Sequence, residues 1–223
     1  MHRERATDFW VSLATVVALF APIWGVLLQP SGLIRLPLYL LYLGLPALAV
    51  VVGALVYGAR RNRVLLNRFL VGYAAGAIGT LAITLLMVLG ERAMAMPSIV
   101  VALGNRVLGR PPSAPASAAV VAVGTLYHFG LNGAAWGAAY ALLFGKVPWW
   151  QGILFGFFVW AVLVLSPPFY AWGFPAMAPG PLALALLLLA HFAYGGLVGL
   201  LVYRWVFPEV GMEGMKAVRP LYA

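Results

Sequence analysis

Two histidines, His128 and His191, lie inside long apolar stretches, and each is followed by glycines four residues apart: Gly133 and Gly137 after the first, Gly195 and Gly199 after the second. A polar group in hydrocarbon costs free energy unless it is bonded, so an ionisable residue inside a membrane span is a functional candidate by default. His128 lies nine residues beyond Ala119 and His191 ten beyond Pro181. At a rise of about 1.5 Å per residue, both fall about 13–15 Å deep, near the middle of a core about 30 Å thick. Two imidazoles at one depth on parallel helices could ligate a haem iron from both faces. Gly130, Gly133, Gly195 and Gly196 would then leave room for the porphyrin. A bare metal ion lacks a third ligand, so no metal site is assigned. The structural alternative bonds each imidazole across the bundle, with Asn132 one turn below His128 and Tyr194 near His191 as partners. Such bonds contribute about 0.6–2 kcal/mol in membranes.

The remaining inventory for chemistry is thin. The acids are Glu4, Asp8, Glu91, Glu209 and Glu213, four of them near the ends of the chain. No pair of carboxylates falls at membrane depth for acid–base work. No H-E-x-x-H, G-x-S-x-G or G-x-x-x-x-G-K-[ST] motif occurs. The chain has no cysteine, which removes thiolate metal sites, disulfides and cysteine nucleophiles. No catalytic residue is assigned, and the chain reads as a protein other than an enzyme.

The elements that carry the histidines follow from composition. Of 223 residues, 64% are hydrophobic and 9% charged, with a mean hydropathy of +0.99. A water-soluble domain carries about 25% charged residues. This chain could not cover its own surface in water, so it is read as a polytopic membrane protein. Spans are expected at 9–28, 36–58, 67–90, 119–144, 149–166 and 182–206, each near the roughly 20 residues that cross a bilayer. Phe9 to Leu28 is too long for the apolar region of a signal peptide and is taken as the first span. Pro22 and Pro46 should kink the first two spans.

Orientation follows from the cations. Arg3, Arg5, Arg60, Arg61, Arg63, Arg68, Lys146, Arg204, Lys216 and Arg219 fall on one side, and Arg35, Arg92, Arg106 and Arg110 on the other. The positive-inside rule puts both termini in the cytoplasm. The net charge of +9 is thereby a matter of topology and anionic headgroups rather than nucleic-acid binding. Two outer connections stand apart. Met96, Ile99, Val100, Leu103 and Val107 follow helical spacing, so 96–108 is expected to form a short interfacial helix or to prolong the third span. Residues 167–181 hold five prolines with Phe169, Tyr170, Trp172 and Phe174, either an aromatic belt or a docking surface for a partner.

Four spans carry a Gly-x-x-x-Gly pair: Gly72/Gly76, Gly133/Gly137, Gly152/Gly156 and Gly195/Gly199. Without a hydrophobic drive between helices in lipid, close backbone approach over glycine supplies much of the packing. Spans three to six are therefore expected to form a tight core, with the first two peripheral. His128-Phe129, Gly133, Gly137 and Tyr140 match His191-Phe192, Gly195, Gly199 and Tyr203 in order, with offsets that differ by one residue at most. Spans three–four and five–six would then be a parallel two-helix repeat.

These residues resemble a family of uncharacterised bacterial membrane proteins with four helices, over residues of about 67–206. The resemblance rests on a Gly-rich helix (Gly72 to Gly79), an H-x-x-x-x-G helix ending in Y-A-L-L-F-G (His128 to Gly145), a W-x-x-G-x-x-x-G helix (Trp149 to Gly156) and an H-x-x-Y-G-x-x-x-G helix (His191 to Gly199). The M-D-[IV]-P run of the family stands here as Met94-Ala95-Met96-Pro97, without the aspartate. The resemblance implies the topology and the repeat and no activity.

The expectation is an all-α polytopic protein of six transmembrane helices with a four-helix Gly-packed core. Residues 1–63 would hold two peripheral helices, 64–208 the core and 209–223 a cytoplasmic tail. The leading function is an accessory or scaffolding subunit of a larger membrane complex, a respiratory one among the candidates, in the bacterial inner membrane. Its partners would be the lipid bilayer and other membrane subunits, met through loop 167–181 and helices 9–58, with no nucleic acid. A b-type haem electron carrier using His128 and His191 is the first alternative, a small-molecule permease the second. The cysteine-free chain makes the topology directly testable. In intact cells a membrane-impermeant maleimide should label Ser113→Cys, and it should label Arg61→Cys only after permeabilisation.

Overall fold

The computed structural model describes residues 2–29, 32–165 and 180–207, which are all-helical and contain no strand. Seven helices follow in chain order: α1 His2–Leu28, α2 Leu36–Arg61, α3 Arg63–Met94, α4 Ile99–Val107, α5 Ala118–Phe144, α6 Gln151–Leu165 and α7 Pro181–Trp205. Five of them, α1, α2, α3, α5 and α7, are long and apolar enough to cross a membrane. The fifth expected span appears as α6, whose 15 residues reach about 22 Å. The proline-aromatic loop beyond it lies outside the described residues except for Gly180 and Pro181, as does the tail from residue 208.

Local chemistry sets several of the helix ends. The Asn62 side chain accepts from the backbone N–H groups of Val64 and Leu65 at 3.1 and 3.0 Å, capping α3 directly after α2 ends. Ser117 caps α5 through the Val120 N–H. Ala95 takes a left-handed conformation (φ 53°) and stops α3. The short helix α4 therefore starts after Pro97 as a separate element and does not prolong the third span. Inside α2, residues Leu40–Gly44 form a π turn just before Pro46. Pro46 has no N–H, and its ring crowds the carbonyl four residues back; the wider turn accommodates both.

The glycine pairs face one another in two seams. Gly72 and Gly76 of α3 meet Gly133 and Gly137 of α5, and Gly152 and Gly156 of α6 meet Gly195 and Gly199 of α7. A Cβ at Gly137 would stand 2.5 Å from the Gly76 Cα, and one at Gly152 2.6 Å from the Gly199 Cα. Backbone fills the space a side chain would take. The two pairs are joined where α7 crosses α3: a Cβ on Gly79 would lie 2.8 Å from the Tyr194 ring.

The first span departs from the expectation. Half of the most apolar window of α1 is buried, against 6% for α2. Val16, Leu19, Ile23 and Leu27 belong to the core cluster, and Phe20 packs edge-on against Trp136 of α5 at 4.7 Å. Large apolar side chains, not glycines, dock this helix, so a search for small-residue seams passes over it. Residues 1–63 are accordingly not a peripheral unit: α1 belongs to the core and α2 alone remains outside. Helix α4 packs on α5 through Gly104 and Gly124, each set against the backbone of the other helix. It also reaches the α1–α2 turn, where Arg106 Nη1 donates to Gln29 Oε1 at 3.3 Å.

Gly137→Ala should destabilise the protein by about 1–3 kcal/mol, the usual range for overpacking. Gly53→Ala on α2, where a Cβ meets nothing within 4 Å, should be neutral or slightly stabilising. Thermal unfolding of both variants in detergent checks the pair.

Candidate functional site

Both histidines line one cavity of about 110 Å³. Its apolar walls come from every described helix except α2: Ile23, Val26 and Leu27 of α1, Ile83 and Met87 of α3, Ile99 and Leu103 of α4, Trp136 of α5, Val159, Val162 and Leu163 of α6, and Leu187 of α7. The polar groups are Thr80, Tyr127, His128, Asn132, His191 and Tyr194. Apolar walls with a few converging polar groups are the usual make-up of a small-molecule site.

Most of those polar groups are occupied by the protein itself. Thr80 Oγ1 donates to the Gly76 carbonyl at 2.7 Å. The Tyr194 hydroxyl donates to the Gly133 carbonyl at 2.7 Å, and the Tyr127 hydroxyl to that of Pro22. His191 Nδ1 lies 2.8 Å from the Leu187 carbonyl, one turn back on its own helix. An oxygen acceptor there requires the proton on Nδ1, so Nε2 is the ring's bare nitrogen. His128 is different. It is 5% exposed, and neither ring nitrogen has a hydrogen-bond partner. Buried polar side chains are nearly always bonded, so an orphan of this kind calls for an explanation.

The backbone under His128 is also unusual. Tyr127–Gly133 is π-helical, with the Ala134 N–H bonded to the Phe129 carbonyl. The π turn of α2 answers to Pro46, but no proline follows this one. Its far end is held from outside: a Cβ at Gly133 would collide with the Thr80 side chain, and the Gly133 carbonyl takes the Tyr194 hydroxyl. π turns within α-helices occur frequently at functional sites.

The two histidines are thus brought together, while their expected partners are not. Tyr194 bonds Gly133 rather than His191, and His128 has no bond to Asn132. Of the four glycines expected to make room for a porphyrin, two are spent on helix contact. Gly195 is filled by the Gly152 backbone and Gly133 by Thr80, and Gly130 and Gly196 lie off the cavity wall. Sequence reasoning missed Met87, Trp136 and the α1 and α4 contributions, whose apolar side chains resemble the many others in their helices and carry no mark of a cavity wall. At the α4 edge, burial pulls the Arg106 guanidinium down to about 10, which still leaves it cationic at neutral pH. Among the described residues, no group of three His, Cys, Asp or Glu side chains is arranged to hold a metal ion.

Residues 66–208 match the model of a family of unknown function (DUF6789), which covers α4, α5, α6, α7 and nearly all of α3. No curated protein and no solved structure matches the chain.

Two substitutions separate bonded from unbonded groups. Tyr194→Phe removes the hydrogen bond to the Gly133 carbonyl and should lower stability by about 0.6–2 kcal/mol, with Tyr42→Phe on the exposed face of α2 as a silent control. His128→Leu breaks no hydrogen bond, and ligand-free protein should unfold no earlier than the wild type. Thermal unfolding in detergent reads both.

Proposed function

We propose that this chain, which belongs to the family of unknown function DUF6789, is a non-catalytic integral membrane subunit that binds a small, largely apolar ligand between His128 and His191. One observation carries the reading: an unpartnered, almost fully buried imidazole on a π turn, at the wall of an apolar cavity. A bound molecule would supply the missing partner and offset the cost of keeping that group in hydrocarbon. The cation distribution supports an orientation with both ends in the cytoplasm, in the inner membrane of a bacterium. The outer face of α2, with its apolar side chains exposed, would meet lipid or another subunit of a larger complex.

A b-type haem carrier is less well supported. A cavity of about 110 Å³ takes one six-membered ring, and a porphyrin would need the glycine seams to part. A permease draws no support from the polar ledger, since the converging hydroxyls are bonded to backbone carbonyls.

Protein purified in mild detergent should yield, on solvent extraction and mass spectrometry, a neutral small molecule near one equivalent per chain. Ile83→Phe, which fills the cavity from α3, should lose it while keeping its fold. An intense Soret band that shifts on reduction would instead establish the haem reading. Extraction of nothing but lipid, with identical yields from the variant, would sink the proposal.

A further inference from the structure

We infer that the ligand is an uncharged ring bearing a hydroxyl group, of the phenol or hydroquinone class, seated with its oxygen between the two imidazoles. The inference rests on the cavity being a ligand site, and three features of the wall narrow the chemistry.

Size comes first. An apolar cavity of about 150 Å³ is known to accept benzene, and this one is of the same order at about 110 Å³. The flanking Tyr127 and Trp136 rings suit an aromatic guest, since ring pairs gain from edge-to-face packing. Charge comes second. No Asp, Glu, Lys or Arg lines the cavity. A carboxylate, a phosphate or a metal cation would therefore bring an uncompensated charge to bilayer depth, which is strongly disfavoured. Hydrogen bonding comes third and is the most selective. With Nδ1 committed to the Leu187 carbonyl, His191 offers only an acceptor, Nε2. His128 offers one donor and one acceptor, both free. A hydroxyl donates one hydrogen bond and accepts another, so it can give its proton to His191 and accept from His128. A ring with only a carbonyl would leave the His191 nitrogen unanswered. A bare hydrocarbon would leave both.

The test uses the full chain in detergent and two fluorinated probes, fluorobenzene and para-fluorophenol, titrated by fluorine NMR. The Ile83→Phe variant provides the baseline for partition into micelles. The expected result is binding of both probes, with the phenol at least about tenfold tighter than the hydrocarbon, as one well-made buried hydrogen bond provides. His128→Leu removes the donor and leaves the His191 acceptor, so it should reduce that preference without abolishing it, and His128→Gln, which keeps an N–H donor, should retain more of it. Equal binding of the two probes would overturn the hydroxyl inference and leave the cavity as an apolar site, its histidines satisfied by water. Failure of both probes to bind above the baseline would overturn the ligand site itself.

Discussion

The rest of the arrangement depends on the crossing of α7 over α3, where Tyr194 packs on Gly79 and its hydroxyl donates to the Gly133 carbonyl of α5. Each glycine seam joins only two helices, and the pairs meet across the α3–α7 face and through the contacts of Phe155 with Trp136 and Tyr140. Tyr194 lies under Gly79 of α3, where no Cβ would fit, and its hydroxyl reaches α5. One side chain thus ties α3, α5 and α7. It also meets the far end of the π turn, giving a partner to a carbonyl beside the widened backbone. The shape of the cavity and the position of His128 both depend on this contact, although Tyr194 contributes mainly backbone recognition.

Two buried imidazoles share a cavity and are treated oppositely by the fold. His191 is anchored to its own helix through Leu187, so its tautomer is set before any guest arrives. His128 is carried on a turn whose hydrogen-bond ladder is loosened and has no anchor. The asymmetry is what a binding site needs: a fixed acceptor on one wall and an adaptable group on the other. A pair kept only for packing would gain from bonding both rings, and Asn132 on the cavity wall shows that a partner was chemically available nearby.

Much of this was legible in the residues, and the gaps have physical causes. Apolar run lengths place the helices after the first to within about four residues, because desolvation is local. The glycine pairs mark their seams because a missing side chain leaves a trace in the spelling. The histidine depths follow from helical rise alone. What could not be read is anything decided by a distant neighbour. The π turn in Tyr-His-Phe-Gly-Leu-Asn-Gly depends on Thr80 and Tyr194, which are 53 and 61 residues from Gly133. The docking of α1 depends on Phe20 meeting Trp136, and in a helix apolar on every side no pattern separates the protein face from the lipid face. Tyr194 was expected to serve His191 because they are close in sequence, but the carbonyl across the bundle had the stronger claim.

The seams also set an order of assembly. Glycine has no side-chain freedom to lose, so a contact made of glycine backbones forms at little entropic cost and needs no rotamer search. The α3–α5 seam is complete as soon as Gly137 has entered the bilayer, and the α6–α7 seam only after Gly199 has followed. Tyr194 enters with α7. The ring-sized space between the histidines therefore cannot form before α7 has entered, and a chain inserted only as far as α6 cannot hold a guest there.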